Sequence, residues 1–191
     1  MRAARSRERG TIGGYGMKTR LCVLMIALVA IWGLKRYYAD ARADDLWWIL
    51  TPTAGLTGAM AGTSFVAEPG QGYLSRERLF LIEKSCAGVN FMIAAFGMLA
   101  FALHRRIVDG VSGVCVVFAS LLASYVAAVV VNAVRISAAM WLSAHSNGLS
   151  TLTAAQVHRV EGITVYFGGL VLLYEIAQQF DRRALIVRNR P

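Results

Sequence analysis

Apolar residues in this chain fall into long continuous blocks separated by short polar segments, rather than alternating at the period of a half-buried strand or helix. The blocks cover residues 21–34, 85–103, 111–142 and 160–177. A membrane-crossing helix needs about 20 mostly apolar residues, so the pattern predicts an all-α, multipass helical membrane protein with about four spans. A β-barrel would show repeated short segments of alternating hydrophobicity, and the sequence has none.

A fifth apolar segment, residues 46–66, has the length of a span but contains Pro52, two central glycines and several hydroxyl side chains. Two interpretations stay open: a complete span, or an amphipathic or re-entrant element on the outer face with Trp47 and Trp48 at the headgroups. The second is favoured, because a full crossing would put the basic segments on different sides of the membrane. In that arrangement, residues 68–84 are predicted to form an outer loop. Its proline and glycines favour turns, and it is long enough for a short hairpin.

The distribution of charge predicts the orientation of these helices. Of the net charge of +9, residues 1–20 contribute +5, the break at 105–109 contributes +1 and the tail from 178 contributes +3. Residues 35–85 carry six basic and six acidic groups, and residues 143–158 carry none. Basic flanking loops stay on the cytoplasmic side, which places both termini inside and residues 35–85 and 143–158 outside. A nucleic-acid protein would instead show a basic stripe on a soluble fold, so no nucleic-acid partner is expected.

Three parts of the chain are predicted. Residues 1–20 are expected to be a basic disordered cytoplasmic leader, residues 21–178 a single integral membrane domain, and residues 179–191 a basic cytoplasmic tail. The leader and first apolar block resemble a signal peptide, but no convincing cleavage site follows Leu34, so the block is interpreted as a helix. Both Met1 and Met17 are candidate starts of the natural protein.

Arg135 is the residue whose position inside an apolar block most needs an explanation, because it carries a charge. A charge near the centre of a membrane helix costs roughly 2.5–3.5 kcal/mol on insertion scales and usually marks function. Mostly apolar residues follow it up to Ser143, and Asn132, one turn earlier on the same face, is placed to hold the guanidinium. The alternative is an anchor that snorkels to the interface.

Cys86 and His158 are the other candidate site residues. Cys86 lies at the predicted N-terminal end of a span, where the helix dipole and a nearby cation favour the thiolate, and Gly88 leaves room for a substrate backbone. His158 immediately precedes the last span on the same predicted side. The alternatives are a packing thiol and an interfacial histidine. With Arg135, these residues supply a nucleophile, a base and an oxyanion-stabilising cation, which are the groups that acyl transfer needs.

No metal site or cofactor is predicted, because the chain has no CxxC, HxxxH or clustered carboxylates. Glu83 and Lys84, next to the candidate nucleophile, are expected to form an exposed charged pair. Cys22 and Cys115 lie inside apolar blocks, where a thiol is usually a small hydrophobic side chain.

Three motifs, in this order, resemble the signature of the exosortase/archaeosortase family. They are SCAGVNF at 85–91, NAVRI at 132–136 and the later His158. The stretch EPGQGY at 68–73 and the shortness of the chain look most like the exosortase K subgroup. The resemblance covers about residues 46–178, and members of the family have more spans than are predicted here.

The resemblance implies a membrane-embedded cysteine protease/transpeptidase of the bacterial inner membrane, with its active site on the periplasmic face. Its partners would be exported proteins that end in a sorting signal: a short PEP-type motif, one transmembrane helix and a basic cluster. The resemblance implies Cys86 as nucleophile, His158 as general base and acid and Arg135 as oxyanion stabiliser, with Asn132 and Gly88 in support. The alternatives are a hydrolase that differs solely in its acceptor, and a non-enzymatic transporter or assembly subunit with Arg135 as an intramembrane contact.

Overall fold

The computed structural model describes the backbone of residues 2–145 and 154–188, and the side chains of residues 17–143 and 159–180. Within these ranges the chain forms five α-helices and one three-stranded sheet. The helices are α1 (Arg2–Asp40), α2 (Trp47–Ala61), α3 (Val89–Ala102), α4 (Gly110–His145) and α5 (Ala154–Arg188), and the strands are β1 (Val66–Glu68), β2 (Gly72–Ser75) and β3 (Phe80–Ile82). The prediction of an all-α multipass protein is confirmed.

In the described part of the chain, four helical stretches are long and apolar enough to cross a membrane: Met17–Asp40, Lys84–Ala102, Gly110–Ser143 and Arg159–Phe180. Inside the protein, 50% of the Lys84–Ala102 stretch is buried, against 6% of the first stretch and 6% of the last. Helix α3 packs against α1, α4 and α5, which explains why its stretch is the most buried of the four. The outer faces of α1 and α5 present large apolar side chains, as expected of helices that contact lipid.

Helix α2 occupies the ambiguous apolar segment. Its 15 residues give a length of about 22 Å at ~1.5 Å per residue, which is shorter than the ~30 Å hydrocarbon core. It carries no charged residue, so a charged amphipathic face is absent from this helix. One face is buried and packs against α4; it consists of Ile49, Leu50, Thr53, Ala54 and Thr57. The short length and the packing favour a re-entrant or surface element over a complete span.

The loop after α2 folds as a three-stranded antiparallel meander, which is larger than the short hairpin that the sequence suggests. Val66 lies opposite Leu74, and Tyr73 lies opposite Ile82. Gly72 is required where the strands come closest, since a Cβ there would lie 2.2 Å from the carbonyl oxygen of Ile82. One residue after β3 ends, the chain enters the turn that carries Cys86, so the sheet fixes where that turn begins.

The best-packed part of the core lies at the end of the bundle that contains Cys86. Side chains from α2, β3, α3 and α4 meet there in one cluster of buried apolar residues, which includes Leu46, Ile49, Leu50, Ile82, Ala87, Val89, Phe91, Ala95, Ala128 and Ile136. Interiors of this kind are close-packed and yield little to added volume. The position of the Cys86 turn is therefore set by packing from several elements at once.

Three helices extend beyond their predicted limits. The sequence predicts a disordered leader over residues 1–20, whereas α1 begins at Arg2, and the alanines, arginines and glutamate at 2–9 are good helix formers. Helix α5 likewise continues through most of the predicted tail. Helices α4 and α5 also enter the predicted outer loop at 143–157, of which residues 146–153 lie outside the described part of the chain.

Helix α4 begins with a reciprocal cap. The Ser112 N–H donates to Asp109 Oδ1 (2.8 Å), and the Asp109 N–H donates to Ser112 Oγ (3.0 Å), so two of the unpaired donors at the helix start are satisfied. The hydrogen bond that the Ser112 N–H donates to the carboxylate holds the pKa of Asp109 below its usual value. The cap places the start of α4 after the basic turn His104–Arg106, with three residues between them.

Candidate functional site

Cys86 ends a single 3-10 turn, Lys84–Cys86, and does not belong to the helix that follows. The sequence predicts this thiol at the head of the span, but Gly88 caps α3 and the helix begins at Val89. Gly88 has a φ of +71°, in the left-handed region that favours glycine, and so separates the turn from the helix. Cys86 therefore precedes the first turn of α3 and is not part of it.

Both backbone polar groups of Cys86 are engaged. Its N–H donates to the carbonyl oxygen of Glu83 (2.9 Å), and its carbonyl oxygen accepts a hydrogen bond from Asn132 Nδ2. The next N–H, that of Ala87, donates to the carbonyl oxygen of Lys84 (3.0 Å). Because these two N–H groups are already paired, neither can stabilise a negative charge on a molecule at the thiol without breaking the turn.

A continuous chain of hydrogen bonds connects Arg135 to Cys86. Arg135 Nη1 donates to the Tyr166 hydroxyl (3.3 Å), the Tyr166 hydroxyl donates to Asn132 Oδ1 (2.8 Å), and Asn132 Nδ2 donates to the Cys86 carbonyl. The sequence predicts that Asn132 holds the guanidinium of Arg135. The structure links these two residues through the hydroxyl of Tyr166.

Asparagine suits position 132 because both ends of its side-chain amide are used. Asn132 is fully buried, with 0% of its surface exposed, and it accepts from Tyr166 and donates to Cys86. A primary amide accepts through its oxygen and donates through its nitrogen, so it can bridge two partners on opposite sides of one planar group. A buried group left without its partner costs about 1–3 kcal/mol, so the chain of hydrogen bonds also fixes the position of α4 against the Cys86 turn.

The ring of Tyr166 provides a second contact for the Arg135 cation. The guanidinium carbon lies 5.1 Å from the ring centre, within the ~6 Å range of a cation–π interaction. On its other side, the Tyr166 ring meets Phe91 of α3 at a centroid distance of 5.4 Å. Tyr166 therefore joins α3, α4 and α5 at the site.

Two glycines allow side chains of α4 to lie close to a neighbouring backbone at this site. A Cβ on Gly88 would lie 3.1 Å from Asn132 Cγ, and a Cβ on Gly162 would lie 2.9 Å from Arg135 Nε. The sequence predicts Gly88 as a supporting residue that leaves room for a substrate. Its contact in the structure is with Asn132, so its absent side chain makes space for the amide that holds Cys86.

The other side of the Cys86 turn is attached to α1. The Tyr38 hydroxyl donates to the carbonyl oxygen of Lys84 (3.1 Å), and Lys84 Nζ donates to the carbonyl oxygen of Ala39 (3.0 Å). Lys84 is thus bonded to α1, whereas the Glu83 carboxylate accepts a hydrogen bond from Ser85. The sequence predicts an exposed charged pair at these two positions; in the structure Glu83 is exposed and Lys84 is half-buried, and the two side chains bond to different partners.

A serine and a carboxylate lie beside the thiol. The Ser85 hydroxyl donates to Glu83 Oε1 (2.6 Å), and Ser85 Oγ lies 3.8 Å from Cys86 Sγ. Since a serine has one hydroxyl proton and that proton goes to Glu83, the thiol is the donor in its contact with Ser85. Cys86 is thereby oriented by its sequence neighbours and by the amide of Asn132.

His158 belongs to α5, but its side chain lies outside the described residues, so the general base predicted there stays a prediction. Tyr166 is a site residue that the sequence reasoning missed. Its signal is a spacing: Gly162 and Tyr166 follow His158 in steps of four residues along one helix, and residues at that spacing share a face.

The other two cysteines lie outside this site, and the described side chains form no metal-binding group. Cys22 and Cys115 are exposed on α1 and α4, away from the hydrogen-bonded chain. Among the residues whose side chains are described, no group of three or more His, Cys, Asp or Glu is placed to hold a metal ion.

Comparisons with protein-family models, curated proteins and solved structures find no match to this chain.

Proposed function

We propose that this chain is a membrane-embedded cysteine protease/transpeptidase of the exosortase type. It would cleave the C-terminal sorting signal of an exported protein and transfer that protein to an acceptor. The observation that carries the proposal is the hydrogen-bonded chain from Arg135 through Tyr166 and Asn132 to the carbonyl of Cys86. It supports a shared site for two residues that lie 49 positions apart in the sequence and that belong to two of the three resembling motifs.

The reaction that fits these groups is acyl transfer through a thioester. His158 takes the proton of the Cys86 thiol and becomes an imidazolium, the thiolate attacks the carbonyl carbon of the scissile peptide, and the new S–C bond gives a tetrahedral oxyanion. When the intermediate collapses, the C–N bond breaks and the imidazolium of His158 gives its proton to the leaving amine. An acceptor amine or water then attacks the thioester, its proton passes to His158, and the Cys86 thiolate leaves.

Arg135 is the group best suited to the oxyanion. In many acyl-transfer enzymes backbone N–H groups next to the nucleophile bind this charge, but here the N–H groups of Cys86 and Ala87 are engaged within the turn. A guanidinium is a cation with five N–H donors, and one of the donors of Arg135 is bonded to the Tyr166 hydroxyl. Removing one donor of this kind typically costs about 100- to 1000-fold in turnover.

His158 is proposed as the general base and acid from its position in the sequence. It precedes Gly162 by four residues on α5, one helical turn, and the α5 backbone at Gly162 faces Arg135 Nε. A substrate with its own span and basic tail would share the orientation proposed for this chain, with the termini in the cytoplasm. The scissile peptide would then meet Cys86 at the periplasmic face of the inner membrane.

The test uses the full chain co-expressed with a reporter domain that is exported. The reporter carries the tail of a protein from the same genome that ends in a short motif, an apolar helix and a basic cluster. We expect cleavage beside the motif with the natural chain, no cleavage with Cys86→Ala, and unchanged cleavage with Cys22→Ala and Cys115→Ala. Mass spectrometry of the new C terminus distinguishes an attached acceptor from a free carboxylate.

Normal processing by Cys86→Ala, at matched expression, would contradict the proposal. So would the failure of the natural chain to cleave any such tail from its own genome. A transporter or assembly subunit predicts a different pattern, in which Arg135→Gln abolishes function and Cys86→Ala has no effect.

A further inference from the structure

A second candidate site lies at the opposite end of α3 from Cys86. A cavity of about 310 Å³ opens there between the end of α3, the basic turn after it and the last part of α5. Apolar and polar groups both line it, namely Phe101, Leu103, His104, Arg105, Tyr174 and Gln178. A lining with an apolar part and a cationic part suits an amphiphile rather than a purely polar solute.

Two of the three arginines around this cavity have structural partners. Arg20 Nε donates to the carbonyl oxygen of Ile107 (2.9 Å), which attaches α1 to the turn. Arg106 donates to the carbonyl oxygen of Phe180 (3.1 Å), which attaches the turn to α5. These bonds hold the walls of the cavity in place.

Arg105 differs from its two neighbours. Among the residues with described side chains, its guanidinium has no hydrogen bond and no ion pair, and it is exposed at the cavity. A cation held at the end of a membrane helix, next to apolar side chains, has a ready counter-ion in the phosphate of a lipid. A guanidinium also matches phosphate geometry, because it can donate two parallel hydrogen bonds.

His104 has a fixed orientation in the same cavity. Its Nδ1 donates to the carbonyl oxygen of Phe101 (2.5 Å), and its ring stacks on the Phe101 ring at a centroid distance of 5.3 Å. Since a carbonyl can accept but not donate, Nδ1 carries a proton, and the other ring nitrogen is the one that remains for a ligand. The cavity therefore offers an oriented imidazole beside a guanidinium.

We propose that this cavity binds the headgroup of an anionic phospholipid, with the phosphate at Arg105 and the first part of an acyl chain against Phe101 and Leu103. The inference is independent of the chemistry at Cys86. The charge around the site agrees with it, since the basic turn is one of the three segments that carry the net positive charge of the chain, and such segments face anionic lipid in the cytoplasmic leaflet.

The test measures lipid retention by the full chain. The protein is purified in detergent, mixed with equal amounts of dioleoyl phosphatidylglycerol and dioleoyl phosphatidylcholine, and analysed by native mass spectrometry as the lipid is diluted. We expect the natural chain to retain phosphatidylglycerol. Arg105→Gln should reduce that retention about five-fold, which corresponds to ~1 kcal/mol for one arginine at an anionic surface, and Arg105→Lys should recover part of it.

The matched control is Arg42→Gln, an exposed arginine just after α1 that loses the same charge away from the cavity, and it should retain phosphatidylglycerol normally. Equal losses in both glutamine variants, or equal retention of the two lipids by the natural chain, would overturn the proposal. Inorganic phosphate at millimolar concentration should not displace the retained lipid. Displacement by phosphate would show that the ligand is a soluble anion and would also overturn the assignment to lipid.

Discussion

The side-chain amide of Asn132 donates a hydrogen bond to the carbonyl oxygen of Cys86. The bond connects the interior of α4 to a turn that lies outside any long helix, so the position of the thiol depends on the register of α4. The other end of the same amide accepts from Tyr166, which in turn accepts from Arg135. A change at any member of this chain should therefore affect Cys86, and matched substitutions elsewhere in the fold should not.

Gly88 can be tested against Gly62, because both have the same type of backbone. Their φ values are +71° and +63°, but a Cβ at Gly88 would press on Asn132, whereas a Cβ at Gly62 would meet nothing within 4 Å. An alanine in the left-handed region costs about 1–2 kcal/mol, so Gly62→Ala reports that cost alone. Gly88→Ala should cost about 1–3 kcal/mol more, the usual effect of overpacking.

The measurement for this pair is the free energy of unfolding in mixed micelles, together with cleavage of the reporter. We expect Gly62→Ala to cleave normally and Gly88→Ala to lose cleavage in the fraction that remains folded. Equal unfolding free energies for the two variants would mean that the contact between Gly88 and Asn132 has no energetic consequence.

Gly162 and Gly168 form a second matched pair on one helix. A Cβ at Gly162 would lie 2.9 Å from Arg135 Nε, and a Cβ at Gly168 would meet nothing within 4 Å. Alanine in place of glycine stabilises a helix interior by up to about 1 kcal/mol, so Gly168→Ala should raise the melting temperature and leave cleavage unchanged. Gly162→Ala should move the guanidinium and reduce cleavage about 100-fold or more, in the range for loss of an oxyanion donor.

One outcome would contradict a role of the Arg135 guanidinium in cleavage. If Gly162→Ala behaves like Gly168→Ala in both melting temperature and cleavage, the guanidinium of Arg135 either tolerates displacement or takes no part in the reaction.

The four long helices could be predicted from the sequence because burial in lipid requires continuous apolar blocks, and the blocks are visible without knowledge of any contact. The sheet at 66–82 was harder to predict from the sequence. Its strands have three or four residues each, too few to show a period, and its pairing depends on Gly72 meeting Ile82.

Part of the site could also be predicted, because two of its residues stand out against the apolar blocks. Arg135 and Cys86 stand out individually, one as a charge in an apolar block and the other as a thiol at the edge of one. Tyr166 does not stand out, because a tyrosine near the end of a span is ordinary in membrane proteins. Its role comes from two partners on α4, Asn132 and Arg135, and a contact between helices that are distant in sequence cannot be deduced from one chain alone.

Asn132→Leu tests the cost of interrupting the chain in its middle. Leucine has the same branched arrangement of four side-chain heavy atoms but leaves the Tyr166 hydroxyl and the Cys86 carbonyl without their partner, so unfolding should become easier by about 2–3 kcal/mol. Asn90→Leu is the control, since Asn90 is exposed and accepts one hydrogen bond from Lys35 (2.7 Å); its cost should stay below about 1 kcal/mol. Comparable costs in the two variants, measured by unfolding in mixed micelles, would contradict a structural role for the buried amide.

Tyr166→Phe removes one oxygen atom from the site and retains the ring that contacts Arg135 and Phe91. The hydroxyl joins Arg135 to Asn132, so its loss should free the guanidinium to move while the packing of the three helices persists. Tyr125→Phe is the matched control, because the Tyr125 hydroxyl donates a single hydrogen bond to the carbonyl of Trp48 (2.8 Å) at a similarly half-buried position. Tyr125→Phe should lose about 0.5–1.5 kcal/mol of stability, the usual net worth of one hydrogen bond, and Tyr166→Phe should lose more, because its hydroxyl makes two.

The two tyrosine variants should also differ in activity. Measured per folded protein, we expect reporter cleavage by Tyr166→Phe to fall at least about ten-fold, since ~1.4 kcal/mol of lost transition-state stabilisation has that effect, and cleavage by Tyr125→Phe to stay near that of the natural chain. The rate at which N-ethylmaleimide alkylates Cys86, in a chain with Cys22 and Cys115 replaced by alanine, gives a readout that needs no substrate. That rate should change in Tyr166→Phe and not in Tyr125→Phe; unchanged alkylation and cleavage in both variants would show that Arg135 and Cys86 act independently of the residues between them.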